Sequence, residues 1–181
     1  MQQKTDVITN KRINKNKLEQ ARAIIAKLQI ELPKYIARGH GPFLAAIYDP
    51  DGHLIAKKAN RVVLGKCSHH HAEMEAISAA EKNFNTYDLS KYNLSLYVTS
   101  EPCIMCLGGI MWSGIREVYF GVPSKTVEKI TGFDEGFKPD WINEFKRRGI
   151  TVCGNLETSV GEKVLRDYVK QKRTVYKPKR K

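Results

Sequence analysis

Apolar residues recur along this chain with two different periods, and the alternation between those periods outlines the fold. From Asn16 a helical repeat runs through Leu18, Ala21, Ile24, Ile25 and Leu28 towards Tyr35 and Ile36, and Pro33 is expected to kink or divide it. FLAAIYD (43–49) and HLIAKKA (53–59) read as strands, and the DPDG between them (49–52) is a turn signal, so the pair forms a hairpin. HAEMEAISAAEKNF (71–84) is rich in strong helix formers. LSLYVTS (94–100) is an apolar, β-branched strand; 103–112 reads as a helix opening after Pro102, and REVYFGV (116–122) as the next strand. The pattern then marks a helix at 141–148, a short strand at 150–154 and an amphipathic helix at 160–173. Strands that alternate with helices require crossover connections, hence parallel pairing. The expected architecture is α/β: a three-layer α/β/α sandwich around a mixed five-stranded sheet. There is no internal repeat and no linker, so the chain divides into a polar N-terminal tail (1–14), one domain (15–176) and a basic C-terminal tail (177–181).

Composition changes this picture little. The length of 181 residues suits one domain, and no run of 18 apolar residues marks a membrane span. The N-terminus has no apolar stretch of a secretory signal, so the expected location is the cytoplasm. The net charge of +12 invites a nucleic-acid reading, but the charge sits at the ends. Residues 1–17 carry +4 and residues 162–181 carry +7, which leaves +1 for the body. Terminal charge runs are most often solvated tails, and contact with nucleic acid through them is the alternative.

The candidate chemistry is concentrated in SHHHAEMEA (68–76) and EPCIMC (101–106), and 28 residues separate Glu73 from Pro102. A histidine and two thiolates are good zinc ligands. Cys103 and Cys106 are three apart on an expected helix, hence on one face, near the positive end of its dipole, which favours thiolate. His71, Cys103 and Cys106 as three protein ligands leave a fourth position for water, the arrangement of a catalytic rather than a structural zinc. Cys67 and Cys153 belong to no second short-spaced pair. Zinc lowers the pKa of a bound water from about 15.7 towards about 7, and Glu73, which is not a ligand, is placed to move the protons. This H-x-E…P-C-x-x-C order is a signature of zinc-dependent base deaminases. Glu75 lies about 200° from Glu73 around a helix of 3.6 residues per turn and reads as structural.

On these motifs, and best over residues 35–125, the chain resembles the cytidine/deoxycytidylate deaminase superfamily, which implies hydrolysis of an exocyclic amine to a carbonyl with release of ammonia. Within it, MCLGGIMW (105–112), GFDEGF (132–137) and VLRDYVKQKRTVY (164–176) are similar to the bacterial guanine deaminase branch. The resemblance implies that Asp134 assists proton movement and that Asn60 and Ala72 contact the substrate. It also implies that Phe43 and Trp112 flank the base and that Tyr176 closes the pocket, with the tail able to reach a neighbouring subunit's site. The expected reaction is therefore guanine to xanthine, with zinc as cofactor, a free nucleobase as partner and a homodimeric assembly. Three other readings stand beside it: adenosine-to-inosine deamination in tRNA, deamination of cytosine or another small base, and a catalytically silent, zinc-stabilised binding subunit. The presence of Glu73 argues against the last, since a silent subunit has no use for a proton shuttle.

Overall fold

The computed structural model describes residues 13–177; most of both charged tails lies outside the described residues. Helix α1 (Lys15–Ala37) begins where the Asn14 side chain accepts the Lys17 N–H at 2.8 Å, a standard N-cap. Ala21, Ile25, Leu28, Leu32 and Ile36 form one buried stripe along it. Pro33 does not divide the helix, which continues to Ala37. A proline costs one intrahelical hydrogen bond, and burial of Leu28, Leu32 and Ile36 on either side of it offsets that loss.

Strands β1 (Leu44–Tyr48) and β2 (Leu54–Ala59) form the expected hairpin. Asp49 ties its turn by accepting the His53 N–H at 2.8 Å, and Gly52 takes φ +87°, a conformation that favours glycine. A single-turn helix α2 (Val62–Gly65) leads to α3 (Ala72–Phe84), followed by β3 (Ser95–Ser100), α4 (Ile104–Ser113) and β4 (Glu117–Val122). Helices α5 (Ser124–Thr131) and α6 (Trp141–Arg147), strand β5 (Thr151–Cys153) and helix α7 (Thr158–Lys170) complete the chain. The sheet order is β2-β1-β3-β4-β5. β1 pairs antiparallel with both β2 and β3, whereas β3, β4 and β5 run parallel. The mixed five-stranded sheet is therefore as expected.

Alternation along the strands builds two cores. Ala45, Ile47, Leu96, Val98, Val118 and Phe120 pack on Ala72, Ala76 and Ile77 of α3 and Leu107 and Ile110 of α4. Leu44, Ala46, Tyr97, Tyr119 and Cys153 face the other way, onto α1, Val127 of α5, and Val164, Leu165 and Tyr168 of α7. Two helices were not marked by the sequence pattern. SKTVEKIT of α5 buries only Ser124, Val127 and Thr131, too narrow an apolar stripe to register, and α2 buries no residue at all. No helix among the described residues is long and apolar enough to cross a membrane.

Candidate active site

The carboxyl end of β3 runs through Glu101 and Pro102 into α4, and this is the edge of a parallel sheet where ligand sites form. Cys103 is the N-cap of α4 (φ −70°, ψ 170°) and His71 the N-cap of α3 (φ −70°, ψ 153°). Two helix N-termini thus present their positive ends to one spot. His71 Nδ1 lies 3.4 Å from Cys103 Sγ, and the donor atoms of His71, Cys103 and Cys106 all lie within 4.8 Å of one another. Tetrahedral zinc with bonds of about 2.0–2.3 Å sets its ligand atoms roughly 3.4–3.8 Å apart, and the His71–Cys103 separation of 3.4 Å falls in that range. A hydrogen bond from Cys106, reinforced by His71, pulls the Cys103 thiol down to about 4, while the same shared proton and burial push Cys106 up. Neither Cys67 nor Cys153 joins the group: Cys153 is buried in β5 on the opposite face of the sheet.

Glu73 stands in the first turn of α3, 5% exposed, and burial followed by the nearby Cys103 thiolate pushes it up to about 7. It borders a cavity of about 560 Å³ with apolar walls from Phe43, Val98, Ile104 and Phe133. A second carboxylate reaches the same cavity. Glu135 is 8% exposed, and burial, then Cys103, push it up to about 8 against the pull of Lys138. Its backbone is fixed at both ends: its N–H donates to Glu128 Oε1 at 3.2 Å, and its carbonyl accepts the Ile104 N–H at 3.3 Å. The loop lies so close to α4 that a Cβ on Gly136, which sits at φ +77°, would meet Ile104 Cγ2 at 2.6 Å.

Other expected residues are distributed unevenly. Phe43 lines the cavity, edge-on to Phe133 at 5.3 Å. Tyr176 also lines it, with its ring 4.9 Å from Phe133 and 6.0 Å from His71. Asn60 is wholly buried at the end of β2 and donates its amide to Tyr176 Oη at 2.6 Å, while its own Oδ1 accepts the Val62 N–H. Within this chain, α7 ends at Lys170 and the segment after it turns back to bring Tyr176 over the cavity. Asp134 touches the cavity but is exposed, and its Oδ1 accepts the Gly136 N–H at 3.0 Å. The sequence points to Asp134 and misses Glu135; burial alternates through this loop, with Phe133 and Glu135 buried and Asp134 exposed, and that alternation is the one signal that could have pointed to Glu135. The Ala72 side chain is in the core beneath α3. Trp112 does not reach the cavity: it is 82% exposed. Six residues beyond Cys106, it is rotated about 240° and displaced about 9 Å along the helix.

A His/Cys/Cys donor set beside a buried carboxylate that is not a ligand, on a three-layer α/β/α sheet, defines a class: the metal-dependent hydrolytic deaminases. The cytidine and deoxycytidylate deaminase zinc-binding region matches residues 19–122, and the chain belongs to that family. It is 37% identical over 97 residues to a guanine deaminase of Bacillus subtilis, covering 54% of this chain and 60% of that protein. It is 37% identical over 105 residues to a probable cytosine deaminase of Schizosaccharomyces pombe, covering 58% of this chain and 62% of that protein. The matches thus span about three fifths of these two relatives. Among solved structures, a guanine deaminase from Nitrosomonas europaea superposes with a TM-score of 0.78 at 36% identity, covering 86% of this chain and 93% of that one. A protein crystallised with 2,6-diaminopurine superposes at 0.81 and 38%, covering 87% and 85%.

Proposed function

We propose that this protein hydrolyses guanine to xanthine and ammonia. The observation that carries the reading is the pair of buried carboxylates, Glu73 and Glu135, in an apolar cavity that Tyr176 closes within the same chain. A cavity of about 560 Å³ has room for a bicyclic base, and the Tyr176 ring over part of it favours a free base above a nucleotide splayed from an RNA loop. The structural likeness to proteins solved with 2,6-diaminopurine and 8-azaguanine supports a purine.

His71, Cys103 and Cys106 would hold zinc, which when bound would supply a water acidic enough to act as nucleophile near neutral pH. Glu73 takes a proton from that nucleophile and passes it to the ring nitrogen beside the reacting carbon. Glu135, held up to about 8, donates a proton to the departing amine and recovers one from the hydroxyl of the substrate's tetrahedral adduct as the carbonyl forms, taking the part in proton movement that the resemblance implied for Asp134. Phe43 and Phe133 form an aromatic wall for the base, and the Tyr176–Asn60 hydrogen bond closes the roof. The assembly we propose is a homodimer, since α4 exposes Ile104 and Trp112 with Met105 and Met111 half-buried beside them.

One observation favours a second reading, deamination of adenosine in tRNA. A tRNA-specific adenosine deaminase of Buchnera aphidicola is 32% identical over 122 residues, covering 67% of this chain and 72% of that protein. Ammonia release from guanine, cytosine, adenosine and tRNA separates the readings. Guanine turnover that survives removal of residues 1–14 and 177–181, with little dependence on salt, supports the proposal. Turnover of tRNA adenosine alone, lost on trimming or at high salt, overturns it.

A further inference from the structure

The connection from α2 to α3 carries a second group of soft donors that the deamination chemistry does not use. Cys67 Sγ lies 3.2 Å from His69 Nδ1 and 3.4 Å from its Nε2, and the donor atoms of Cys67, His69 and His70 all lie within 4.8 Å of one another. Backbone hydrogen bonds hold this segment in shape: Cys67 N–H to Val62 O at 3.2 Å, Arg61 N–H to His70 O at 2.8 Å and His71 N–H to His69 O at 2.8 Å. The donors are therefore gathered before any ion arrives, which lowers the ordering cost of binding.

His70 shows what the segment lacks. Its Nδ1 is buried with no hydrogen-bond partner, a condition that costs free energy and calls for an explanation. A Cβ on Gly65 would stand 2.6 Å from that same nitrogen, so glycine keeps the space beside it clear. Its Nε2 faces Glu75 Oε1 at 3.7 Å, and Glu75 also pairs with Arg61 Nη1 at 3.4 Å. A carboxylate beside one ring nitrogen is the way metal-bound imidazoles are oriented, because it places the proton there and leaves the other nitrogen bare.

We propose that Cys67, His69 and His70 form a second zinc site, separate from the donor set of His71, Cys103 and Cys106. One thiolate and two imidazoles select zinc or another soft divalent ion over magnesium or calcium. His69 is exposed, so the ion exchanges with solvent more readily than one held at the cavity floor. The site lies outside the catalytic donor set and touches neither the base nor Glu73, although Ser68 between its donors borders the cavity.

Full-length protein is dialysed against micromolar zinc, and bound metal is counted by mass spectrometry. The expected count is two per chain, falling to one in the double variant Cys67→Ala/His69→Ala, with ammonia release from guanine within about twofold of wild type. Cys103→Ala is expected to keep one, the ion on Cys67. If Cys103→Ala leaves the wild-type count unchanged, the catalytic-centre reading fails, whereas this proposal is judged by the Cys67 arm. One zinc in the wild type, or two in the double variant, overturns it. Anomalous difference density at the zinc edge from wild-type crystals decides without any variant: a second peak about 2.3 Å from Cys67 Sγ supports the site, and its absence overturns it.

Discussion

The floor and the roof of the cavity are built differently. The floor, His71, Glu73, Cys103 and Cys106, comes from two helix starts, and its four residues span 36 positions of the chain. The roof gathers Phe43, Phe133 to Glu135 and Tyr176 from three segments, none in a helix or strand, that span most of the domain. Rigid elements set reacting groups to within fractions of an ångström, and loops vary without disturbing the core. The contrast suggests that the floor carries the chemistry shared by the family and the roof selects the base. Changes to the floor should abolish turnover of every substrate, whereas changes to the roof should alter how one base is held.

The largest effect belongs to the floor. Glu73→Gln keeps the size of the side chain and removes the base, so kcat for guanine should fall by a factor on the order of 10² to 10⁴ with bound zinc unchanged. Steady-state kinetics beside metal analysis check it; wild-type turnover would place the proton transfer elsewhere. Removing zinc with a chelator should abolish turnover while the far-ultraviolet circular dichroism is retained, because two apolar cores hold the fold independently of the metal.

Glu135 joins the two regions, a roof residue with work to do on the reaction. Glu135→Gln should lower kcat by about 10², the low end of what a positioned acid contributes, and should remove the alkaline limb of the pH–rate profile near 8. Its burial also makes the metal-free protein pH-sensitive. In the unfolded chain this carboxyl titrates near 4.5, and in the fold it is held up to about 8. Between those values the unfolded state has lost the proton that the folded state retains, so stability falls as pH rises through this window. The loss is on the order of a few kcal/mol. Urea unfolding of the metal-free protein at pH 5 and pH 8 should show it, and Glu135→Gln should reduce the difference; a midpoint unchanged between the two pH values would mean that Glu135 is ionised in the fold.

The sequence spelled out the floor because its spacing is local. Two cysteines three apart imply a shared helix face, and a histidine two residues before a glutamate places both at one helix start. The strands were legible as short apolar, β-branched runs, whereas the layer that Leu96, Tyr97 and Val98 each face is set by packing, since this strand is buried throughout. The roof was harder to read for a physical reason. Which of Asp134 and Glu135 turns inward depends on how one loop docks on Ile104, a tertiary contact between residues 31 positions apart. Helix α5 was invisible because its burial comes from packing rather than from its own pattern. Trp112 was assigned to the base by resemblance alone, and in this chain it stands 82% exposed on α4, away from the cavity.

Tyr176 is a smaller change to the roof. Tyr176→Phe keeps the ring against Phe133 and loses the hydrogen bond from Asn60. A neutral hydrogen bond contributes about 0.5–1.5 kcal/mol net, so KM for guanine should rise roughly 2- to 12-fold while kcat stays within a factor of two. An equal fall in kcat with KM unchanged would mean instead that the hydroxyl acts on the reaction itself.

The smallest effect on catalysis is expected at Trp112, and it tests whether the roof of one chain is complete on its own. Trp112→Ser removes a large apolar surface that touches neither floor nor roof, since the side chain is 82% exposed at the far end of α4. Surface substitutions of this kind usually change stability by no more than about 0.5 kcal/mol, so kcat and KM should each stay within twofold. If α4 is the dimer face, light scattering at micromolar concentration should show the mass shifting from two chains towards one in this variant while activity per chain persists. A variant that loses guanine turnover in step with the dimer would show that a neighbour completes the cavity, and the division between a catalytic floor and a self-contained roof would then have to be redrawn across the subunit boundary.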